Sequence, residues 1–475
     1  MYQSIAFLGT IVLTLISLLI INKKDKAFSI YLKIITVVFC AIGFFRFMLS
    51  DSFIWVINGG YYSGTYYKSI DVLQSILRWG YYLNYAVLPM AVFFNNRIFR
   101  NIAIYFCLPF SILSTIFMGD FFKYFLDPMG RGLHLSATFR YIYFIIELIL
   151  AMSIPLMVMF GYKHFFNIKD KKEWINYFCA LPLVLLQMMP VYLPQSLLGY
   201  TGLVAKSFSM VHIVWLLITL LVIFGLYYFF RFKDYDTRYQ VCVFLSIVLF
   251  FHYDSLYLMG FSIPRLPIQL CNLGAYFFLV AVVFRLKKFF DFTFIVNITG
   301  AAVAMLMPDI DGGVMGFWNI HFMFEHSLVV IVPALCMALR IFPRVNAKSI
   351  KYAFIGYSCY FMFCLISGTI LNGFSAETGF KVNYFYIFDL KKAFDYFPFL
   401  RFTQNIYIRA GRFIVYPLFQ LIIYLGFFGI CLLFYWLVQS LYKMTDDHLQ
   451  LRLSRIDLYE KITKKKSKAP RDFVD

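Results

Sequence analysis

Long apolar runs follow one another along almost the whole of this 475-residue chain. Each run spans about 18 to 25 residues, which is enough for an α-helix to cross the hydrocarbon core of a membrane. Apolar residues make up 62% of the chain and charged residues only 14%, outside the range of soluble domains. No stretch between the runs could form a soluble domain, and none shows the alternating pattern of a membrane barrel. The sequence therefore predicts an all-α, polytopic transmembrane helical bundle.

Short basic groups between the runs predict the orientation of the helices. The formal net charge is +19, but the basic residues do not line one face or form a reading motif, so no nucleic-acid partner is predicted. By the positive-inside rule the basic groups lie in the cytoplasm. The groups are residues 22–26, 95–100, 163–172, 231–238, 285–288, 340–351 and 464–471. They predict about thirteen helices, with the N-terminus outside and the C-terminus in the cytoplasm.

The predicted spans also suggest how the chain is divided. They are residues 4–21, 28–49, 79–95, 101–119, 137–162, 174–194, 206–230, 239–259, 267–285, 290–307, 320–342, 350–371 and 411–440. The first run has no basic residue before it and no small-residue cleavage site, so we expect a retained span. Hairpins joined by basic loops both precede and follow residue 195, which allows two related halves, 1–200 and 201–445. Residues 446–475 then form a basic cytoplasmic tail on the anionic inner leaflet, or bind a protein partner.

Polar side chains inside the spans mark the candidate site, because an ionisable group in a membrane is costly. Those of the second half all fall within about two helical turns of the predicted outer boundary. They are His212, His252, Asp254, Gln269, Cys271, Asn272, Asp309, His321, Glu325, His326 and Asn372. We expect an outward-facing polar pocket; the alternative is a hydrogen-bond network that only stabilises the bundle. The first half supplies fewer such groups: Arg46, Asn84, Arg140 and Glu147.

Two chemistries fit these residue types. A thiol beside an imidazole can form a reactive thiolate for acyl transfer, which favours Cys271 with His326. A zinc site would combine His321, Glu325 or His326 with His252 or His212, since the three residues of one helix cannot ligate a metal alone. The nine cysteines show no paired spacing, so no disulfide framework is expected. No metal and no cofactor are predicted.

A family resemblance adds to this interpretation. The segment "LPIQLCNLGAYFFLVAVVFRLKKFFDF", with "FEHSLVV", "LNGF" and "VNYFYIFD" after it, resembles the bacterial YwaF family of integral membrane proteins, which is similar to the eukaryotic transmembrane protein 164 family. The resemblance covers about residues 205–440. The matching positions are His212, Pro267, Leu270, Cys271, Pro308, Asp309, His326, Asn372, Asn383 and Tyr384. Where the eukaryotic motif has a cysteine and then a histidine after the proline, this chain has Ile268 and Gln269.

The resemblance implies a membrane acyltransferase that moves fatty acyl chains between phospholipids. His326, or His212, would act as general base for Cys271 or for a lipid hydroxyl, with Asn272 or Asn372 donating to the oxyanion. The predicted substrate-binding residues are His252, Gln269, Asn272, Asp309, His321, Glu325, Asn372, Asn383 and Tyr384. The expected partners are membrane lipids, and the expected location is a bacterial plasma membrane. A transporter, a lipid- or solute-binding protein without catalysis, and a scaffold with a structural pocket remain alternatives.

Overall fold

The fold is described from a computed structural model. It describes residues 1–21, 25–49, 76–77, 80–94, 96–118, 136–162, 169–171, 173–175, 177–178, 203–204, 206–257, 268–308, 313–314, 317–379 and 381–454. Over these residues the chain forms 16 α-helices and one two-stranded antiparallel hairpin, which confirms the predicted all-α class. Two compact units can be distinguished, Met1–Pro267 with Ala304–Val332 and Ile268–Val303 with Pro333–Asp475. Each unit is described separately below.

The first unit is built mainly from the N-terminal helices. They are α1 (Tyr2–Ile21), α2 (Asp25–Leu49), α3 (Asn84–Phe93), α4 (Arg97–Ile102), α5 (Leu108–Ile116), α6 (Ala137–Tyr162), α7 (Met210–Phe230) and α8 (Tyr235–Tyr257). A π-helical turn, Ala103–Cys107, joins α4 to α5. Helix α6 packs against both α1 and α2. Asn96 caps α4 by accepting from the backbone N–H groups of Ile98 and Phe99, as expected at a helix start.

The second unit contains most of the residues, about 205–440, that carry the family resemblance. After α8, the chain forms α9 (Leu270–Val283), α10 (Lys287–Phe292), α11 (Ile298–Leu306), α12 (Phe317–Ala338), α13 (Ala347–Gly373), α14 (Ser375–Thr378), α15 (Leu390–Tyr396) and α16 (Pro417–Ser454). Strands β1 (Ile408–Ala410) and β2 (Phe413–Val415) lie between α15 and α16. Helices α11 and α12 each have residues in both units. Helix α10 packs against α9 and α13.

The predicted spans agree with the observed helices where an apolar run is long. Within the described residues, nine helices are long and apolar enough to cross a membrane, which confirms a polytopic membrane protein. The predicted run 137–162 coincides with α6, and 206–230 begins four residues before α7. The shorter α9 is apolar but has only 14 residues. The predicted span 174–194 lies mostly outside the described residues.

Two predicted boundaries near the C-terminus differ from the structure. The run 411–440 was expected to be helical from its start, but residues 408–415 form the hairpin and α16 begins at Pro417. Gly411, with a φ of 59°, lies between the strands and favours the turn. Helix α16 then continues to Ser454, so the expected tail begins as part of this helix. Residues 455–475, including the basic run of the tail, lie outside the described residues.

Candidate functional site

His212 is held by the backbone in the first turn of α7. Its Nδ1 accepts a hydrogen bond from the backbone N–H of Phe208 at 2.8 Å, so that nitrogen carries no proton. Its Nε2 lies 2.7 Å from the carbonyl oxygen of Met305, which can only accept. The neutral imidazole therefore satisfies both backbone groups at once and is fully buried. This arrangement suits a structural role, because neither nitrogen is available to take up a substrate proton.

His326 has one ring nitrogen committed to the backbone. Its Nδ1 lies 2.8 Å from the carbonyl oxygen of Phe322, one turn earlier in α12. Since a carbonyl cannot donate, Nδ1 carries the proton of the neutral ring, and Nε2 is the basic nitrogen. The Phe322 ring also packs on the imidazole, with ring centroids 4.1 Å apart. Of the two predicted bases, His326 has the tautomer that general base catalysis requires.

His321 and Glu325 form a buried pair on the same helix. Nε2 of His321 lies 3.0 Å from Oε2 of Glu325, and both side chains are less than 5% exposed. The spacing of four residues places them on one face of α12, as predicted from the sequence. A charged or shared-proton pair at this depth is costly unless its groups satisfy each other. Their contact accounts for placing both residues inside an apolar span.

A row of side chains joins α7 to α12 beside these histidines. The indole N–H of Trp215 donates to Oγ of Ser327 at 2.7 Å, and Thr219 lies 2.8 Å from the same hydroxyl. Trp215 also contacts the rings of His212 and Phe322. His212 and His326 therefore both lie against aromatic side chains of this unit. This is the arrangement of a packed hydrogen-bond network.

Cys271 lies in the first turn of α9 in the second unit. Its thiol donates to Oδ1 of the adjacent Asn272 at 3.1 Å, and the cysteine is partly exposed. The amide nitrogen of Asn272 is buried and has no hydrogen-bond partner among the described residues. Burying such a donor without an acceptor costs free energy, so a bound molecule that accepts its hydrogen bond would be favoured at this position. A nucleophilic sulfur and a donor that has no acceptor in the described part of the chain thus occupy neighbouring positions.

The start of α9 is fixed by a close helix contact. The Asn297 side chain donates to the carbonyl oxygen of Leu270 at 2.7 Å. Gly274 makes room for it, because a Cβ at that position would meet the Asn297 amide nitrogen. Asn297 belongs to the π-helical turn Thr293–Asn297 between α10 and α11. This turn therefore orients the residues on either side of Cys271.

Helix α13 brings further polar side chains towards Cys271. Tyr360 is buried on α13 and lies on the same helix face as Cys364, one turn further along. Cys364 is fully buried, and its sulfur lies 3.9 Å from the carbonyl oxygen of Ile268. A second thiol therefore lies close to the backbone three residues before Cys271.

Three of the predicted substrate-binding amides instead hold the segment 382–389. Gln269 donates to the carbonyl oxygen of Asn383 and accepts from the N–H of Phe385, at 3.1 and 3.0 Å. Asn372 forms two hydrogen bonds with the backbone of Val382. Asn383 accepts from the N–H groups of Phe388 and Asp389, both at 3.0 Å. These side chains connect the segment to the ends of α9 and α13.

The same segment carries one buried aromatic residue and two that have a strained backbone. Burial raises the pKa of Tyr384 to about 12, so its hydroxyl stays protonated at neutral pH and can donate but not act as a base. Phe385 and Tyr386 have φ angles of 53° and 57°, a left-handed conformation that costs free energy in residues with a side chain. The Phe385 ring lies among Tyr357, Tyr360 and Phe427.

The predicted site residues are divided between the two units. His212, His321, Glu325 and His326 belong to the first unit, and the second contains Gln269, Cys271, Asn272, Asn372, Asn383 and Tyr384. The backbone of His252 lies in α8, but its side chain is not described, and Asp309 lies outside the described residues. The role of His326 as base for Cys271 stays a prediction. Within the described ranges, no group of three or more His, Cys, Asp or Glu side chains is placed to hold a metal.

Sequence reasoning missed several residues of the site. Tyr360 and Cys364 are separated by four positions and share a face of α13. Trp215 and Thr219 have the same spacing in α7, so helical periodicity could have pointed to both pairs. Phe385 has no comparable signal, because its left-handed backbone conformation depends on contacts with residues far away in the sequence.

Comparison with known proteins supports the resemblance to the transmembrane protein 164 family. Residues 207–423 match the model of the TMEM164 family. The match begins just before α7 and ends in the first turns of α16, so it includes every predicted catalytic residue. No curated protein and no solved structure matches the chain.

Proposed function

We propose, from the match of residues 207–423 to the TMEM164 family and from the setting of Cys271, that this integral membrane protein transfers fatty acyl chains between lipids through a thioester on Cys271. The observation that supports the proposal most directly is the pair of neighbours at the start of α9. The Cys271 thiol donates to the Asn272 side chain, whose amide nitrogen has no acceptor among the described residues. Acyl transfer through a cysteine requires at least a nucleophile and a hydrogen-bond donor that stabilises the oxyanion.

The first half-reaction is attack of the Cys271 sulfur on the ester carbonyl of a membrane lipid. A carbon–sulfur bond forms, the ester carbon–oxygen bond breaks, and the lysolipid alcohol leaves with the proton that the thiol gives up. The first turn of α9 favours the thiolate, because the backbone N–H groups there carry partial positive charge. The Asn272 amide would donate to the carbonyl oxygen as negative charge develops on it.

The second half-reaction returns the thiol to its starting state. A hydroxyl of a second lipid attacks the thioester carbonyl, the new ester forms, and the sulfur leaves and regains a proton. The proton that this hydroxyl gives up passes to the sulfur. No oxidant or reductant is needed, since each step exchanges one acyl bond for another.

The proposal is tested by trapping the acyl-enzyme. The purified protein in detergent is incubated with a phospholipid carrying an alkyne-tagged acyl chain, and the tagged protein is detected before and after neutral hydroxylamine, which cleaves thioesters. We expect a hydroxylamine-sensitive adduct that mass spectrometry maps to the peptide containing Cys271. The Cys271→Ser variant should lose this adduct.

Cys364→Ser is the matched control. It removes a thiol from the same surroundings, but Cys364 is fully buried and lies outside the first turn of α9. We expect this variant to retain the adduct on Cys271. An adduct that persists unchanged in Cys271→Ser, or a wild-type protein that neither acquires the tag nor changes the lipid composition, would overturn the proposal.

A further inference from the structure

The ring of Phe385 fills an aromatic pocket in the second unit. Its centroid lies 5.7 Å from those of Tyr357 and Tyr360, 5.9 Å from Phe361 and 5.0 Å from Phe427, in edge-to-face contacts throughout. Three of these neighbours are on α13 and one is on α16, and both helices are long and apolar enough to span the membrane. The pocket is therefore apolar and lies within spans that border lipid.

The pocket is adjacent to Cys271 through two separate links. Tyr360 forms part of its wall, and one turn further along α13 the sulfur of Cys364 lies 3.9 Å from the carbonyl oxygen of Ile268, three residues before Cys271. On the other side, the backbone N–H of Phe385 donates to Gln269, two residues before Cys271. A chain bound in this pocket would consequently end near the proposed nucleophile.

The residue that fills the pocket has an unfavourable backbone. Phe385 and Tyr386 are consecutive non-glycine residues with positive φ, a conformation that persists only where surrounding contacts impose it. Here the contacts are hydrogen bonds between the backbone of the segment 382–389 and the side chains of Gln269, Asn372 and Asn383. Moving the segment out would relieve the strained backbone but would break these hydrogen bonds.

We infer that the pocket bounded by Tyr357, Tyr360, Phe361 and Phe427 binds the acyl chain of a lipid, and that Phe385 is a plug that the chain displaces. The identity of the occupant rests on the proposed function, since an acyl chain is what a thioester at Cys271 would need. Aromatic side chains offer a long hydrocarbon the same apolar contacts that they now give the Phe385 ring. The size of residue 385 would then control access of acyl chains to the pocket.

The inference is tested by photo-crosslinking, which needs no catalysis. The full chain is reconstituted in nanodiscs with a phosphatidylcholine that carries a diazirine near the end of its acyl chain, and crosslinked peptides are mapped by mass spectrometry. We expect Phe385→Leu to raise labelling of the peptides containing residues 357–361 and 427 several-fold over wild type. Phe385→Ala, which has the smaller side chain, should raise it further. Phe385→Trp should lower it.

The matched control is Phe399→Ala, the same change at an exposed phenylalanine in the loop that precedes the hairpin. This variant should label the pocket as the wild type does. Folding is checked by thermal unfolding, and the leucine variant decides the test if the alanine variant does not fold. Pocket labelling that is equal in all folded variants would overturn the inference.

Measuring the hydroxylamine-sensitive adduct in the same Phe385 variants, with Cys271 intact, separates this inference from the proposed function. Pocket labelling that depends on residue 385, without any thioester on Cys271, would leave a lipid-binding pocket and reject the catalytic proposal. A thioester on Cys271 with labelling that ignores residue 385 would reject the pocket and keep the catalysis.

Discussion

Asn372 pairs with both backbone groups of Val382. Its Nδ2 donates to the Val382 carbonyl oxygen at 2.9 Å, and its Oδ1 accepts from the Val382 N–H at 2.8 Å. The end of α13 is thereby attached to the start of the segment 382–389, ten residues further along the chain. This pairing explains an asparagine that the family resemblance had suggested for substrate binding.

We expect Asn372→Ala to lower the free energy of unfolding by about 2–3 kcal/mol, because two partly buried backbone groups lose their partner. Unfolding in mixed micelles of a mild detergent and dodecyl sulfate would measure the change. Asn405→Ala, at an exposed asparagine just before the hairpin, should change stability by less than about 0.5 kcal/mol. Equal effects of the two substitutions would contradict this account of Asn372.

The two predicted histidine bases should behave differently. His212→Ala removes the partner of both Phe208 and Met305, so we expect a loss of about 2–4 kcal/mol of stability. His326→Ala removes one bond to a backbone carbonyl and a basic nitrogen, so stability should fall by only about 1 kcal/mol. If His326 is the base, the rate of acyl transfer by the folded His326→Ala variant should fall about 100-fold or more.

Both histidine variants are compared as folded protein, by unfolding curves and by the acyl distribution of membrane lipids. His326→Gln is a useful companion, since its amide can keep the bond to Phe322 but cannot accept a proton in catalysis. An unchanged acyl distribution in a stable His326→Gln variant would remove His326 from the mechanism.

Asp234 lies just before α8, and its hydrogen bonds predict that the stability of the protein depends on pH. Its carboxylate accepts from the backbone N–H of Thr237 at 2.9 Å and from the Thr237 hydroxyl at 2.7 Å, and these bonds lower its pKa. A lowered folded-state pKa means that the contribution to stability is present above the unfolded value of about 3.9 and is lost as the pH falls through the folded value. Asp234→Asn keeps a capping oxygen but cannot titrate.

We therefore expect Asp234→Asn to remove a small part of the acid sensitivity between about pH 5 and pH 2, while Asp234→Ala costs about 1 kcal/mol at neutral pH through loss of the cap. Unfolding followed by circular dichroism at several pH values gives both quantities. Identical pH profiles for the wild type and Asp234→Asn would show that this carboxylate does not contribute.

Structural features that depend on neighbouring residues in the chain were predicted correctly from the sequence. The coincidence of α6 with the run 137–162 shows this, because the free energy of inserting a helix is nearly a sum over its own residues. The pairing of His321 with Glu325 also followed from helical spacing. Both features involve residues that are close in the sequence.

The remaining features depend on partners that spacing does not reveal. His212 is fixed by Met305, 93 residues away, and Gln269 by Phe385, 116 residues away. Neither composition nor periodicity indicates such a partner, so a residue expected to contact a substrate can equally hold a backbone segment. The hairpin at 408–415 was missed for a related reason, since its apolar residues continue the pattern of the following helix.

Glu147 is a fully buried carboxylate of the first unit, and two tyrosines donate to it. Oε1 accepts from the Tyr81 hydroxyl at 3.0 Å and also from the Tyr85 hydroxyl. All three side chains are fully buried, and Glu147 lies within the apolar span 138–162. Hydrogen bonds to a charged carboxylate contribute about 1.5–3 kcal/mol, whereas those to a neutral group contribute about 1 kcal/mol.

A double-mutant cycle between Tyr85→Phe and Glu147→Gln measures this interaction directly. We expect the single substitutions to lower stability and the double variant to lower it by less than their sum, with a coupling energy above about 1 kcal/mol. Gly43→Ala gives an independent check, because a Cβ at that position would meet the Tyr85 ring and displace it from Glu147. Combined with Glu147→Gln, Gly43→Ala should then lose part of its effect. Additive effects in both cycles would show that the tyrosine and the carboxylate do not stabilise the bundle through each other.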